Sequence, residues 1–128
     1  MKLLLDTHVF LWWVLDAPEL SDAAKRLMIN GENNLYWSAA SSWEVAIKYQ
    51  LGKLPLPHDP GHYIPKLLAT NAIESIPITD EHSFTTGRLP FYHRDPFDRI
   101  LVAQAMVEGL AILSKDAAFS HYAVKVIW

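Results

Sequence analysis

Four acidic residues, Asp6, Glu44, Asp98 and Asp116, are of a type and placement that a divalent cation would join. Asp6 ends the apolar run Leu3-Leu4-Leu5, and Asp116 follows the run Leu110-Ala111-Ile112-Leu113, so each reads as a residue just past the carboxyl end of a strand. Glu44 and Asp98 fall in the first turns of expected helices. In an open α/β sheet the strand ends and the helix starts that follow them share one edge, where ligand crevices form. Four carboxylates on that edge repel one another unless protons or cations compensate. In a chain without cysteine the simplest compensation is a hard cation that prefers oxygen ligands, Mg²⁺ or Mn²⁺.

Singly, each acid has an ordinary role available. Asp6 can accept backbone N–H groups at a turn. Glu44 can close a Ser41-x-x-Glu44 capping box and pair with Lys48 one helical turn on. Asp98 can favour the positive end of its helix, and Asp116 can cap a short helix over residues 117–119. Asp98 shares a face with Leu101, Val102 and Ala105, however, where an unpaired charge is costly, so it needs a partner. None of these roles explains why all four acids fall on one edge.

The elements that must position them alternate between strand and helix. Strands are expected at 2–5, 35–37, 73–78, 111–113 and, at an edge, 124–128. Helices are expected at 9–15, near 21–30 with Ser21 as cap and Gly31 as stop, from the Ser41 box to Gly52, at 63–71, from the Thr79 cap to Gly87, and from Asp95-Pro96 to Gly109. The proline-rich run 54–60 and residues 88–94 read as loops, and Pro65 is tolerable in a first helical turn. This order implies an α/β fold of one domain over residues 1–128, with a mainly parallel central sheet of four to five strands and helices on both faces.

At 128 residues and 51% hydrophobic the chain can bury a substantial core, which excludes a disordered protein. Its net charge of −3 excludes a general polyanion binder, so any nucleic-acid contact must use a local basic patch. The lack of cysteine suits a reducing compartment, with cytoplasm the default, and no apolar run is long enough for a membrane span.

Four segments together carry a family resemblance: Leu4-Leu5-Asp6-Thr7-His8, Ser42-Trp43-Glu44-Val45-Ala46-Ile47-Lys48, Asp95-Pro96-Phe97-Asp98-Arg99-Ile100-Leu101-Val102-Ala103-Gln104-Ala105 and Leu113-Ser114-Lys115-Asp116. The chain resembles the PIN-domain family over essentially its whole length, and within it the VapC toxins of type II toxin-antitoxin modules. The third segment is the most specific. The resemblance implies a Mg²⁺- or Mn²⁺-dependent ribonuclease cutting single-stranded or loop RNA, with Asp6, Glu44, Asp98 and Asp116 as its acids. It also implies a homodimer and a cognate VapB-like antitoxin whose tail crosses the active-site groove. Ser114 matches a position where the family often has a small hydroxyl, suited to bonding an acid or a metal-bound water. Asp95 is assigned to the helix cap.

Lys48, Arg88, Arg94, Arg99 and Lys115 are the candidate phosphate contacts by proximity, and Phe91, Tyr92 and His93 the candidates for stacking on unpaired bases. His58 and His62 have the spacing of a helical metal pair, against which Pro57 and Pro60 argue. Trp12 and Trp13 cannot face the same way on one helix, which places one of them at a subunit or partner interface. Competing readings are a PIN nuclease in RNA processing or on DNA, a phosphoacceptor signalling domain and a non-catalytic interaction module. A phosphoacceptor should carry an acid beside Asp6, and none is there.

Overall fold

A computed structural model describes residues 1–128. The chain runs β1 (Lys2–Leu5), α1 (Thr7–Val14), α2 (Asp22–Ile29), β2 (Asn34–Ser38), α3 (Ala39–Gln50), α4 (Pro60–Thr70), β3 (Ile73–Ile76), α5 (Asp80–Thr86), α6 (Pro96–Glu108), β4 (Ala111–Leu113), a 3₁₀ turn (Ala117–His121) and β5 (Val126–Ile127). The five strands form one sheet in the order β3-β2-β1-β4-β5, and every pairing is parallel. No helix is long and apolar enough to cross a membrane.

Side-chain alternation along the strands divides the interior into two cores. Leu3 and Leu5 of β1, Leu35 and Trp37 of β2 and Leu113 of β4 point to one face, where Val9 and Phe10 of α1, Ala24 and Met28 of α2, Val45 of α3 and Ile64 and Leu68 of α4 cover them. Leu4 and Ile112 point to the other, under Leu101, Val102 and Ala105 of α6 and under Phe119 and Tyr122. Burial on both faces is why the strands read as continuous apolar runs instead of alternating ones.

The order 3-2-1-4-5 contains a switch point. The chain winds outward from β1 through β2 to β3, then returns to place β4 on the opposite side of β1. Connections diverge between β1 and β4, so the carboxyl ends of those two strands flank a natural crevice. Asp6 follows β1 and Ser114 follows β4. The Asp6 backbone N–H donates to the Leu113 carbonyl at 3.1 Å, tying the two ends together.

Several boundaries differ from the sequence expectation. Strand β2 runs straight into α3, which begins at Ala39 with Ser38 as its cap, its Oγ accepting from the Ala40 N–H at 3.0 Å. The expected capping box at Ser41 and Glu44 therefore does not form. Ser41 lies inside the helix, where its hydroxyl accepts from Thr7 Oγ1 at 2.8 Å. Glu44 stands in the second turn instead of the first. Helix α4 starts at Pro60, with Asp59 capping Gly61, so Pro65 sits beyond the first turn. It lies on the exposed side, where water can serve the Gly61 carbonyl that lacks a donor. His62 is in α4 and His58 is outside it, so the two histidines are not presented on one helix.

The ends of α6 follow the sequence signals. Asp95 Oδ1 accepts from the Phe97 N–H at 2.9 Å, Pro96 takes the first helical position, and Gly109 closes the helix with φ 67°. A Cβ at position 109 would meet no atom within 4 Å, so only the left-handed backbone resists substitution. Gly109→Ala is expected to cost about 1 kcal/mol, read as a lower denaturant midpoint with an unchanged slope.

Candidate active site

Asp6, Glu44, Asp98 and Asp116 line one cleft of about 330 Å³, together with Asp95, His8, Trp12, Lys48 and Lys115. Asp6 caps α1 by backbone alone and makes no side-chain cap bond. Its carboxylate turns instead across the sheet end, where Ser114 Oγ donates to Oδ2 at 2.7 Å. Ser114 Oγ in turn accepts the Asp116 N–H at 3.0 Å, so one hydroxyl organises both strand-end acids. Glu44, 4% exposed, pairs with Lys48 Nζ at 2.8 Å. Asp116 Oδ1 caps the 3₁₀ turn through the Ala118 N–H at 2.9 Å. The partner that Asp98 needs is His93, whose Nε2 lies 2.8 Å from Oδ2 and 3.7 Å from Asp116 Oδ2.

The nearest grouping of potential ligand atoms is thus not the four acids but His93, Asp98 and Asp116, within 4.8 Å of one another. From the sequence His93 is only one of three candidates for base stacking, with plain loop structure the alternative. No periodicity or motif in the sequence marks its contact with Asp98. Asp95 caps α6 as expected, and it also lines the cleft and adds its charge to the others.

The electrostatics follow from this crowding. Five carboxylates and two lysines line the cleft, so the acids are under-compensated by protein charge. Burial is the largest influence on Asp98, reinforced by repulsion from Asp95, Asp6, Glu44 and Asp116, and its carboxyl is pushed from 3.8 up to about 8. Burial also raises Asp6, opposed by the Ser114 hydrogen bond and the His8 charge. Oxygen donors at a partly buried edge, short of positive charge, suit a hard divalent cation.

Other candidates separate. Arg99 is not a phosphate contact. It is 8% exposed and donates to the carbonyls of Thr86, Leu89, Pro90 and His93 and to the Tyr122 hydroxyl. Arg88 is exposed and donates to Thr85 Oγ1. Lys48 and Lys115 do line the cleft. Tyr92 packs on Tyr122 and His121. Phe91 is 88% exposed and Trp43 62% exposed, and both line an adjoining groove with Phe97 and Arg94. Trp12 and Trp13 are both half-buried against the main core; Trp12 stacks edgewise on Trp128 and Trp13 Nε1 donates to Asn71.

A family model described as PIN domain matches residues 3–125. The chain belongs to the PIN-domain family. This PIN domain is 32% identical over 72 residues to Ribonuclease VapC16 of Mycobacterium tuberculosis (strain ATCC 25618 / H37Rv), a match covering 56% of this chain and half the length of that protein. It is 29% identical over 114 residues to Ribonuclease VapC22 of the same organism, covering 88% of this chain and 85% of that one. Among solved structures, VapBC2 from Rickettsia felis bound to a DNA fragment from its promoter superposes with TM-score 0.72 at 16% identity, covering 99% of this chain and 98% of that one. DNA-bound VapBC from Salmonella typhimurium gives 0.71 at 15%, covering 99% and 97%. At these identities the structural likeness establishes the PIN fold.

Proposed function

We propose that residues 1–128 form a single nuclease domain, a Mg²⁺- or Mn²⁺-dependent endoribonuclease acting as the toxin of a VapBC-type module. The observation that carries this reading is the under-compensated acid cleft at the β1/β4 switch point, in a chain whose relatives are named ribonucleases. Asp6, Glu44, Asp98 and Asp116 would hold the cation. When bound, it supplies an acidified water and stabilises charge growing on the phosphate.

The remaining work falls to the protein. Ser114 fixes the Asp6 carboxylate, and Lys48 holds Glu44 while bringing positive charge to the cleft wall. Lys115, exposed at the rim, is placed to meet a phosphate. Unpaired bases would stack on Phe91 and Trp43 in the adjoining groove, which fits single-stranded or loop RNA better than a duplex. A VapB-like antitoxin and a second copy of the chain are the proposed partners, the first supported by the VapBC complexes of similar fold.

Purified protein, free of any antitoxin, is expected to cut a mixed structured RNA pool with Mg²⁺ or Mn²⁺ and to stop when EDTA is added. Equal cutting in EDTA would overturn the metal-dependent reading. A folded protein that binds no divalent cation and cuts nothing would favour an interaction module. Phe91→Ala and Trp43→Ala are expected to raise KM by about tenfold each, from roughly 1–3 kcal/mol of stacking per base, with kcat changed less. A loss confined to kcat would argue against stacking at these positions.

A further inference from the structure

We infer that His93 is a positioning residue for the acid cluster, that it turns its Nε2–H toward Asp98 and Asp116, and that it is not itself a ligand of the cation. The inference deepens the metal-dependent reading and rests on it. The distances alone admit two roles. With Nε2 at 2.8 Å from Asp98 and 3.7 Å from Asp116, the imidazole can share a proton between two carboxylates, or a cation can bridge all three groups.

The two roles require opposite tautomers, and the other ring nitrogen distinguishes them. His93 Nδ1 accepts the backbone N–H of Asp95 at 3.3 Å. A nitrogen that accepts must present its lone pair, so the ring proton lies on Nε2. Ligation through Nε2 needs the lone pair there and the proton on Nδ1. That arrangement would set the ring N–H against the Asp95 N–H and leave both without an acceptor. Metal-bound histidines ordinarily give their second ring N–H to a carbonyl or carboxylate; here the second nitrogen faces a donor.

The placement is built from several sides. The His93 carbonyl accepts from the buried Arg99 guanidinium at 3.3 Å, and the ring packs beside Phe119, with centroids 6.4 Å apart. Asp95 thus has a second task besides capping α6. Its backbone orients the imidazole, and the imidazole constrains the carboxylate three residues further along the chain. A polar N–H between two acids also offsets part of their repulsion.

The test is ¹⁵N NMR of histidine-labelled wild-type protein, metal-free and saturated with Mg²⁺, together with Mg²⁺ and Mn²⁺ affinities of His93→Gln and His93→Ala. The expected result is the Nε2–H tautomer in both states. His93→Ala should lose roughly 10- to 100-fold in affinity for both cations alike, and His93→Gln, which can still offer an N–H to the acids, should recover most of it. A change to the Nδ1–H tautomer on adding Mg²⁺ would overturn the inference. So would a loss in both variants that is much larger for Mn²⁺ than for Mg²⁺, since imidazole favours the transition metal. If wild-type protein binds neither cation, the metal reading of the cleft falls, and the metal-free tautomer then decides the placement of His93 by itself.

Discussion

Asp98→Asn is expected to make the metal-free protein more stable while removing the proposed nuclease activity. The carboxyl of Asp98 is pushed up to about 8 by burial and by its four acidic neighbours, whereas an unfolded chain releases that proton near the ordinary value of 3.8. Between those values the folded state holds a proton that the unfolded state has lost. The stabilising contribution is therefore complete below 3.8 and disappears as pH rises through about 8. The melting temperature of wild-type protein in EDTA should fall over that window relative to Asp98→Asn, and the gap should be widest at its alkaline end. Asparagine keeps the size of the side chain and carries no charge to repel Asp95, Asp6, Glu44 and Asp116. Divalent cation should reverse the order, because it stabilises only the form that binds it. With Mg²⁺ the wild type should gain melting temperature and the variant should not. Cleavage should drop on the order of 10²-fold or more in Asp98→Asn, as for loss of a preorganised electrostatic group. If the variant melts below wild type throughout the pH range in EDTA, the crowding account of the cleft is wrong.

The legible part of this molecule is what repeats locally. The apolar runs of β1 and β4, the Asp95-Pro96 start and the Gly109 stop each announce themselves within a few residues. The Ser41 box was misleading because a Ser-x-x-Glu pattern exists there while Ser38, three residues earlier, takes the cap. A strand that passes into a helix without a loop leaves no punctuation to show which serine is first. The common edge of Asp6, Glu44, Asp98 and Asp116 could be reasoned from strand ends and helix starts. The switch point between β1 and β4 could not, since it depends on which side of β1 the chain returns to after β3. The contacts of Arg99 and His93 were not legible for one shared reason. Their partners are carbonyls and carboxylates brought in by an irregular loop, and no periodicity marks such contacts.

The same loop gives the second large effect. Arg99→Met should destabilise the fold by about 3 kcal/mol, because it removes a buried charged donor that serves five acceptors at once. The guanidinium spans the end of α5 and the loop beyond it, donating to Thr86 at 2.8 Å, Leu89 at 3.3 Å, Pro90 at 2.8 Å and His93 at 3.3 Å. The Tyr122 hydroxyl at 3.4 Å adds an acceptor from the end of the 3₁₀ turn. No carboxylate pairs with it, so the carbonyl dipoles, the Tyr122 hydroxyl and the face of the Phe91 ring, 4.7 Å away, compensate its charge. Methionine fills much of the stem volume but supplies none of these bonds. Lysine keeps the charge and still cannot reach several carbonyls from one planar fork, so Arg99→Lys should recover only part of the loss. Denaturant unfolding of the three proteins in EDTA measures this directly, free of any contribution from bound cation. Because the His93 carbonyl is one of the clamped groups, the loosened loop should also weaken Mg²⁺ binding in variants that remain folded. Full stability in Arg99→Met would mean that water serves those carbonyls as well as the guanidinium does, and that the loop holds its shape by packing alone.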